Sequence, residues 1–444
     1  MTVLSRRALA LGSLGAVLGW QAGARALGRT PLGGRLAFSV PWSLASIDPH
    51  DLASPGGALF SGALFDTLVV PDPRLGFRPA LVEALPAAEA GLGTVVRLRP
   101  ALRTAAGAFL DGRDVVASIR RARAGGGAAL LHALKDVSVH PKEPLTVLLK
   151  ANPSVATRAL ASPLAAIVPR GFDPARPDGT GAFAAARVGA NLVLTRNTRA
   201  AMGASFLDEL VVGEARDLQE SLRDFEAGRH DLGWLGLGLF NNRANAQRFE
   251  LGSAGLLVVA ASGTVSGFER AGALQRLVDL LPRARLAHLG LGALPDGSDA
   301  ALWDGDPIDV WADSRSAHLG EIAKALADIL SRPSHEVRVR RGTASEIMAK
   351  RRRGEPMLSC HVVRPTGPGP SGLAMALGTF DDPSRAGDIA ARPPRGTTPR
   401  EIARELKVAV LGELRLSGGV VPGVKLAKSV AGGWDLGATF KKKA

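Results

Sequence analysis

The sequence predicts an α/β protein of mixed sheets with flanking helices. Three observations predict it. Short runs rich in valine, isoleucine and leucine alternate with stretches whose apolar residues recur every three or four positions. Glycine and proline, 53 and 29 of 444 residues, separate these runs. Neither the long helical periodicity of a bundle nor a repeating unit runs along the chain.

The elements follow in order. Residues 35–40 alternate as a strand that Pro41 stops. Residues 58–68 carry Leu59, Phe60, Ala63, Leu64 and Leu68 on one side of a helix. A strand at 95–99 ends at Pro100, and a helix at 114–124 turns Val115, Ile119 and Ala122 inward. Strands are predicted at 137–139 and 146–149, a short helix at 155–160, and strands at 191–195 and 209–212. A helix at 218–227, with Leu218, Leu222 and Phe225 inward, is stopped by Gly228 and followed by a strand at 231–235. A second region opens near Leu256. There, strand 308–312, helix 318–330, strand 336–339, helix 343–352 and strand 357–363 follow the pattern of a doubly wound parallel sheet. Residues 364–400, rich in proline and glycine, predict a long irregular excursion. Residues 399–416 predict a last helix, with strand fragments near Val420 and Trp434.

Composition excludes several classes. The apolar fraction of 46% and charged fraction of 22% are those of a globular protein, and the length suits two or three domains. Beyond the N-terminal segment, no unbroken apolar stretch is long enough to cross a membrane, and the nearest candidate, 251–261, reads as a buried strand. One cysteine, Cys360, permits no internal disulfide. The net charge of +14 is scattered; its densest runs, Lys350-Arg351-Arg352-Arg353 and Lys441-Lys442-Lys443, read as a solvated helix end and tail. With no tyrosine and only 14 Phe and 6 Trp, the chain has no base-stacking platform, so no nucleic-acid partner is expected. Hydrolase elbow, phosphate-loop and zinc-protease motifs are absent, and the eight histidines never fall within five residues of one another. The expectation is a protein that is not an enzyme and carries no cofactor or metal.

The N-terminus fixes the expected compartment. Arg6 and Arg7 precede an apolar segment of 8–20, too short to span a bilayer, with small residues at Ala22, Ala24 and Ala26. This is the pattern of a twin-arginine export signal cleaved near Ala24 or Ala26, with the Tat translocase as transient partner.

Several separated patches, in one order, carry a resemblance. They are Ser46-Ile47-Asp48-Pro49-His50, Ala63-Leu64-Phe65-Asp66-Thr67-Leu68-Val69 and Pro79-Ala80-Leu81-Val82-Glu83. The most specific joins Arg97-Leu98-Arg99-Pro100 to Phe109-Leu110-Asp111-Gly112-Arg113-Asp114-Val115-Val116-Ala117-Ser118. Gly179-Thr180-Gly181-Ala182-Phe183, Phe206-Leu207-Asp208-Glu209-Leu210 and Glu226-Ala227-Gly228-Arg229-His230-Asp231-Leu232 complete it. In these the chain resembles the family 5 extracellular solute-binding proteins, the peptide- and nickel-type receptors of ABC importers. It departs from them near 255–285 and in His361-Val362-Val363-Arg364-Pro365, which replaces an acidic, aromatic segment.

The resemblance implies a two-lobed, type II periplasmic-binding-protein-like fold with a hinge. Signal 1–26 and linker 27–34 would precede lobe I at 35–250, which holds an inserted subdomain at about 66–172. Lobe II would span 251–410, and 411–444 would return to lobe I. It implies an exported, periplasmic monomer that takes an oligopeptide or similar small solute to an ABC permease. By position, Trp42, Trp234, Phe240, His361 and Arg364 would face the ligand. The alternative is a degenerate copy of the fold that serves as a ligand-free structural or protein-interaction module.

Overall fold

The structure is a computed structural model that describes residues 30–234, 241–262, 265, 267–286, 289, 291–292, 302–364, 366, 369–430 and 433–442. Arg6, Arg7, the predicted signal and Phe240 lie outside the described residues.

Strand β1 (Arg35–Val40) opens the first sheet, and Pro41, with no N–H to donate, ends it. Helix α1 (Pro55–Leu64) starts where Ser54 Oγ accepts the Gly57 amide, with proline at its first position. Strands β2 (Val69–Asp72) and β3 (Gly76–Pro79) form a hairpin. Then β4 (Ala87–Glu89), β5 (Gly93–Arg97), β6 (Val137–Val139) and β7 (Thr146–Leu149) build a four-stranded sheet in the order 4-5-7-6. On β6 and β7 packs α2 (Gly112–Ala122), whose N-terminus is closed by a reciprocal cap between Asp111 and Asp114. After α3 (Pro153–Leu160), the hairpin β8 (Phe183–Val188) and β9 (Asn191–Arg196) and then β10 (Glu209–Glu214) return to the first sheet, ordered 1-10-9-8 with β1 parallel to β10.

Helix α4 (Leu218–Glu226) leads to β11 (Leu232–Trp234) at the edge of a seven-stranded sheet. That sheet is organised by β12 (Gln247–Ala261), 15 residues long. Next come the helices α5 (Ala273–Asp279) and α6 (Arg283–Leu286) and the short β13 (Leu291–Gly292). The unit β14 (Ile308–Asp313), α7 (Ala317–Leu330), β15 (Val337–Gly342), α8 (Ala344–Arg352) and β16 (Leu358–Val363) follows; β14 is parallel to both β15 and β16, as its strand–helix alternation predicts. Helices α9 (Gly369–Asp381), α10 (Ala386–Ala391) and α11 (Pro399–Ala403) precede β17 (Val408–Val420), which runs antiparallel to β12 from Gln247↔Val420 to Ala260↔Val408. A closing hairpin, β18 (Val424–Lys428) and β19 (Trp434–Lys441), returns to the first sheet through a ring cluster. There Phe38 lies 6.0 Å from Trp234 and 5.3 Å from Trp434.

Two expectations are corrected. Residues 364–400 are not an irregular excursion: Leu373, Ala374, Met375, Ala376 and Leu377 are helix formers and carry α9, which takes in Gly369 and Pro370 in its first turn and Gly372 and Gly378 along its length. Residues 399–416 are not one helix, because α11 stops at Ala403 and the rest is β17. Val408, Ala409, Val410 and Leu411 suit either period, and pairing with β12 decides between them.

Both faces of the long ribbon are covered. On β12, Leu257, Val259 and Ala261 join the apolar cluster of β1, β14 and α7. Leu256, Val258 and Ala260 join that of α2, α9 and β17. This explains the continuous apolar run in the sequence.

Candidate functional site

The loop after β1 is built by its own side chains. Asp48 Oδ1 accepts the His50 amide at 2.9 Å, and Asp51 Oδ1 accepts that of Ala53 at 2.8 Å, two turns of the kind aspartate favours. Gly57 allows α1 to come close, since a Cβ there would stand 2.6 Å from Asp48 O and 3.2 Å from Arg364 Nη1.

Arg121, in the last turn of α2, reaches this loop. Its Nη1 and Nη2 donate to Asp48 Oδ1 and Oδ2 at 2.7 and 2.6 Å, a two-pronged pair. Nη1 also stands 2.8 Å from His50 Nδ1. Arginine can only donate, so Nδ1 accepts and His50 carries its proton on Nε2, which donates to Ala166 O at 2.8 Å. Burial lowers the His50 pKa to about 4, against the pull of Ala166 O and Asp48. For Asp48, burial raises the carboxyl, but the Arg121 hydrogen bonds, the His50 amide and the Arg121 charge outweigh it and leave it below its ordinary value.

Arg364 follows β16 and ties the seven-stranded sheet to the same loop. Its amide donates to Leu52 O at 2.9 Å, and its Nη1 donates to Pro49 O at 3.1 Å. The side chain is buried, and burial pushes its pKa down to about 10 against the opposing charges of Asp51 and Asp48. Asp51 is open to solvent, yet desolvation by surrounding protein raises its carboxyl, helped by Asp48 and by Asp313 at the end of β14. Arg364 follows β16 and Asp313 ends β14, at the C-terminal ends of two parallel strands, where open α/β sheets receive ligands. The charges of Asp51 and Asp48 act on Arg364, and that of Asp313 acts on Asp51.

Of the described residues expected to face a ligand, only Arg364 lies at this junction. Trp42 is buried in the core, its indole Nε1 without a hydrogen-bond partner among the described residues. Trp234 is buried, donates through Nε1 to Ser39 O at 2.5 Å, and packs edge-on against Phe38, Phe249 and Trp434. His361 faces α9: its ring lies 4.9 Å from that of Phe380, its Nε2 2.9 Å from Ser359 Oγ, and burial holds its pKa well below the usual imidazole value. Sequence reasoning missed the roles of Asp48, His50, Asp51, Arg121 and Asp313. The signal for three of them was the run Asp48-Pro49-His50-Asp51, read only as a turn. Nothing local marks Arg121 or Asp313.

Among the described residues, no three His, Cys, Asp or Glu side chains are grouped to hold a metal ion. Among them, no helix is long and apolar enough to cross a membrane.

No protein-family model matches the chain, and no curated protein matches it. Solved structures do. The oligopeptide-binding protein AppA from Bacillus subtilis, in complex with a nonapeptide, has a TM-score of 0.65 at 13% identity, covering 94% of this chain and 100% of AppA. The binding protein AgaA from Agrobacterium tumefaciens R10, in complex with agropinic acid, has a TM-score of 0.67 at 15% identity, covering 93% and 99%. NikA from Brucella suis, in complex with Fe(III)-EDTA, has a TM-score of 0.63 at 16% identity, covering 92% and 100%. The resemblance drawn from the sequence is borne out at the level of the fold: the chain has the periplasmic-binding-protein-like α/β fold of the peptide- and nickel-type solute-binding proteins, along nearly its whole length.

Proposed function

We propose that the chain is an exported solute-binding protein that delivers an oligopeptide or similar small solute to an ABC permease. The observation that carries this reading is the Arg364 junction, where a buried guanidinium at the C-terminal end of β16 is held by Pro49 O and acted on by the carboxylates of Asp51 and Asp48 from the loop after β1. The similar structures hold a nonapeptide, agropinic acid and Fe(III)-EDTA in their complexes, which supports a small polar solute without naming one. In this reading β12 and β17 form the hinge ribbon. Residues 35–250, with the insertion at about 66–172, and 411–444 make one lobe, and 251–410 make the other. Closure on the solute shifts a two-state equilibrium toward the form the permease recognises. Arg364 then supplies the charge, and Trp42, Trp234 and His361 support the lobes from within the core. Arg6 and Arg7 direct export by the Tat translocase, the signal is cleaved near Ala24 or Ala26, and the mature periplasmic protein is a monomer.

The test is a thermal-shift screen of the full mature chain against short peptides and metal–histidine complexes, repeated with Arg364→Gln. A hit that stabilises the natural chain and not the variant supports the reading. No hit, or one indifferent to the substitution, contradicts it.

A second reading is favoured by one observation. A single apolar cluster joins Val115 and Ile119 of α2 to Leu377 and Phe380 of α9, so the inserted subdomain and the last helices share a core. Such a joint opposes separation of the halves. It suits a degenerate copy of the fold that serves as a structural or protein-interaction module.

A further inference from the structure

A recess of about 670 Å³ lies on the first sheet, and all its lining residues fall between Ser39 and His230. It shares no residue with the Arg364 junction. Ser39 and Gly213 are partners across β1 and β10. A Cβ on Gly213 would stand 3.7 Å from Ser39 Cβ and 3.3 Å from Asn191 Oδ1, so the missing side chain opens a trough between the two. Two buried polar atoms on its walls, Ser39 Oγ and His230 Nδ1, have no hydrogen-bond partner among the described residues. Ser39 is 2% exposed, and His230 Nδ1 stands 3.8 Å from Asp224 Oδ2, beyond hydrogen-bond length. Buried polar groups left without partners are costly, so two on one recess point to a polar occupant.

Charge decides its class. Arg187, on the rim, forms no ion pair within 4 Å among the described residues, although the charge of Glu214 acts on it. Glu214, also on the recess, accepts the Leu44 amide at 2.6 Å through Oε1 only. A free guanidinium and a carboxylate that do not pair with each other, over a floor of serine and asparagine, fit a ligand carrying both charges.

We propose that this recess is a second binding site, for a zwitterionic small molecule of the α-amino-acid class. The ligand carboxylate lies on Arg187 and the Asn191 amide, its ammonium on Glu214, and Ser39 and His230 complete the hydrogen bonding. The volume is within the range of small-molecule sites.

Titration calorimetry on the full mature chain tests this, with alanine, glutamate and lysine as probes and propionate and propylamine as single-charge controls. The expected result is saturable heat for at least one amino acid, absent for both controls and weakened about tenfold or more by Arg187→Gln and by Glu214→Gln, each loss being that of one charge-assisted contact. Gly213→Val, which fills the trough from a strand position, should abolish the heat and leave the melting temperature within a few degrees. No heat from any amino acid at millimolar concentration overturns the proposal. So does binding that ignores the two charge substitutions, or that survives Gly213→Val.

Discussion

Arg121 and Asp48 are joined by two hydrogen bonds, at 2.7 and 2.6 Å, that pin the last turn of α2 to the loop after β1. The two residues are 73 apart in sequence, so the pair fixes α2 against the loop that meets Arg364. Asp48→Ala leaves the Arg121 guanidinium without its carboxylate and also removes the acceptor of the His50 amide. Arg121 is partly open to water, which screens the loss, so the expected destabilisation is about 1–2 kcal/mol. Urea unfolding of the two proteins at neutral pH measures it.

His50 makes stability depend on pH. Its folded pKa, about 4, lies below the ordinary value of 6.5, so the unfolded chain binds the proton more readily. The stabilisation is complete above 6.5, falls as the pH drops from 6.5 toward 4, and is constant below that. The loss reaches about 3 kcal/mol, from 1.36 kcal/mol per unit. His50→Gln should flatten the stability profile across this window relative to the natural chain. Denaturant melts at pH 7, 5.5 and 4.5 check it, and parallel profiles would refute the assignment.

Gly179 and Gly181 stand where nothing larger fits. A Cβ on Gly179 would lie 2.3 Å from Leu64 O, and one on Gly181 2.5 Å from Ala63 O, both backbone atoms at the end of α1. Between them Thr180 Oγ1 donates to Asp66 Oδ2 at 2.8 Å. Gly181→Ala should cost about 1–3 kcal/mol by forcing the helix end away. Gly62 is the control, since a Cβ there would meet nothing within 4 Å. Gly62→Ala in the interior of α1 should be neutral or stabilising, by at most about 1 kcal/mol.

Cys360 lies in β16 among Leu358 and Val362, and burial pushes its thiol up to about 12. The native protein should therefore react with a thiol reagent at pH 8 only as fast as it unfolds, and denaturant should release one rapid equivalent. Fast reaction of the folded chain would show that β16 is exposed.

The fold was largely legible in the sequence because most elements announce themselves locally. Strand Arg35–Val40 alternates cleanly, and Thr146–Leu149 is a short apolar run. In α7, Leu319, Ile322, Ala323 and Leu326 fall on one face. The C-terminal third was less legible because Val408–Leu411 suit helix and strand alike, and only pairing with the distant β12 selects β17. Strand Phe183–Val188 was missed, since Phe-Ala-Ala-Ala-Arg-Val carries no strand-like composition and is held by its pairing with β9. The junction was legible at Arg364 and hidden elsewhere. Trp42 and Trp234 were marked by their position in the resemblance and prove to be core residues, whereas the carboxylates that act on Arg364, Asp51 and Asp48, come from a turn far away in sequence.

Native mass spectrometry of the mature protein, purified gently from the exporting cell, tests most directly that the chain clasps a small solute. The account predicts a folded monomer carrying extra mass that leaves on denaturation, and a natural chain that loses this mass when Arg364 is replaced by Gln. A monomer of bare chain mass, unchanged after incubation with peptides and metal–histidine complexes, would contradict it.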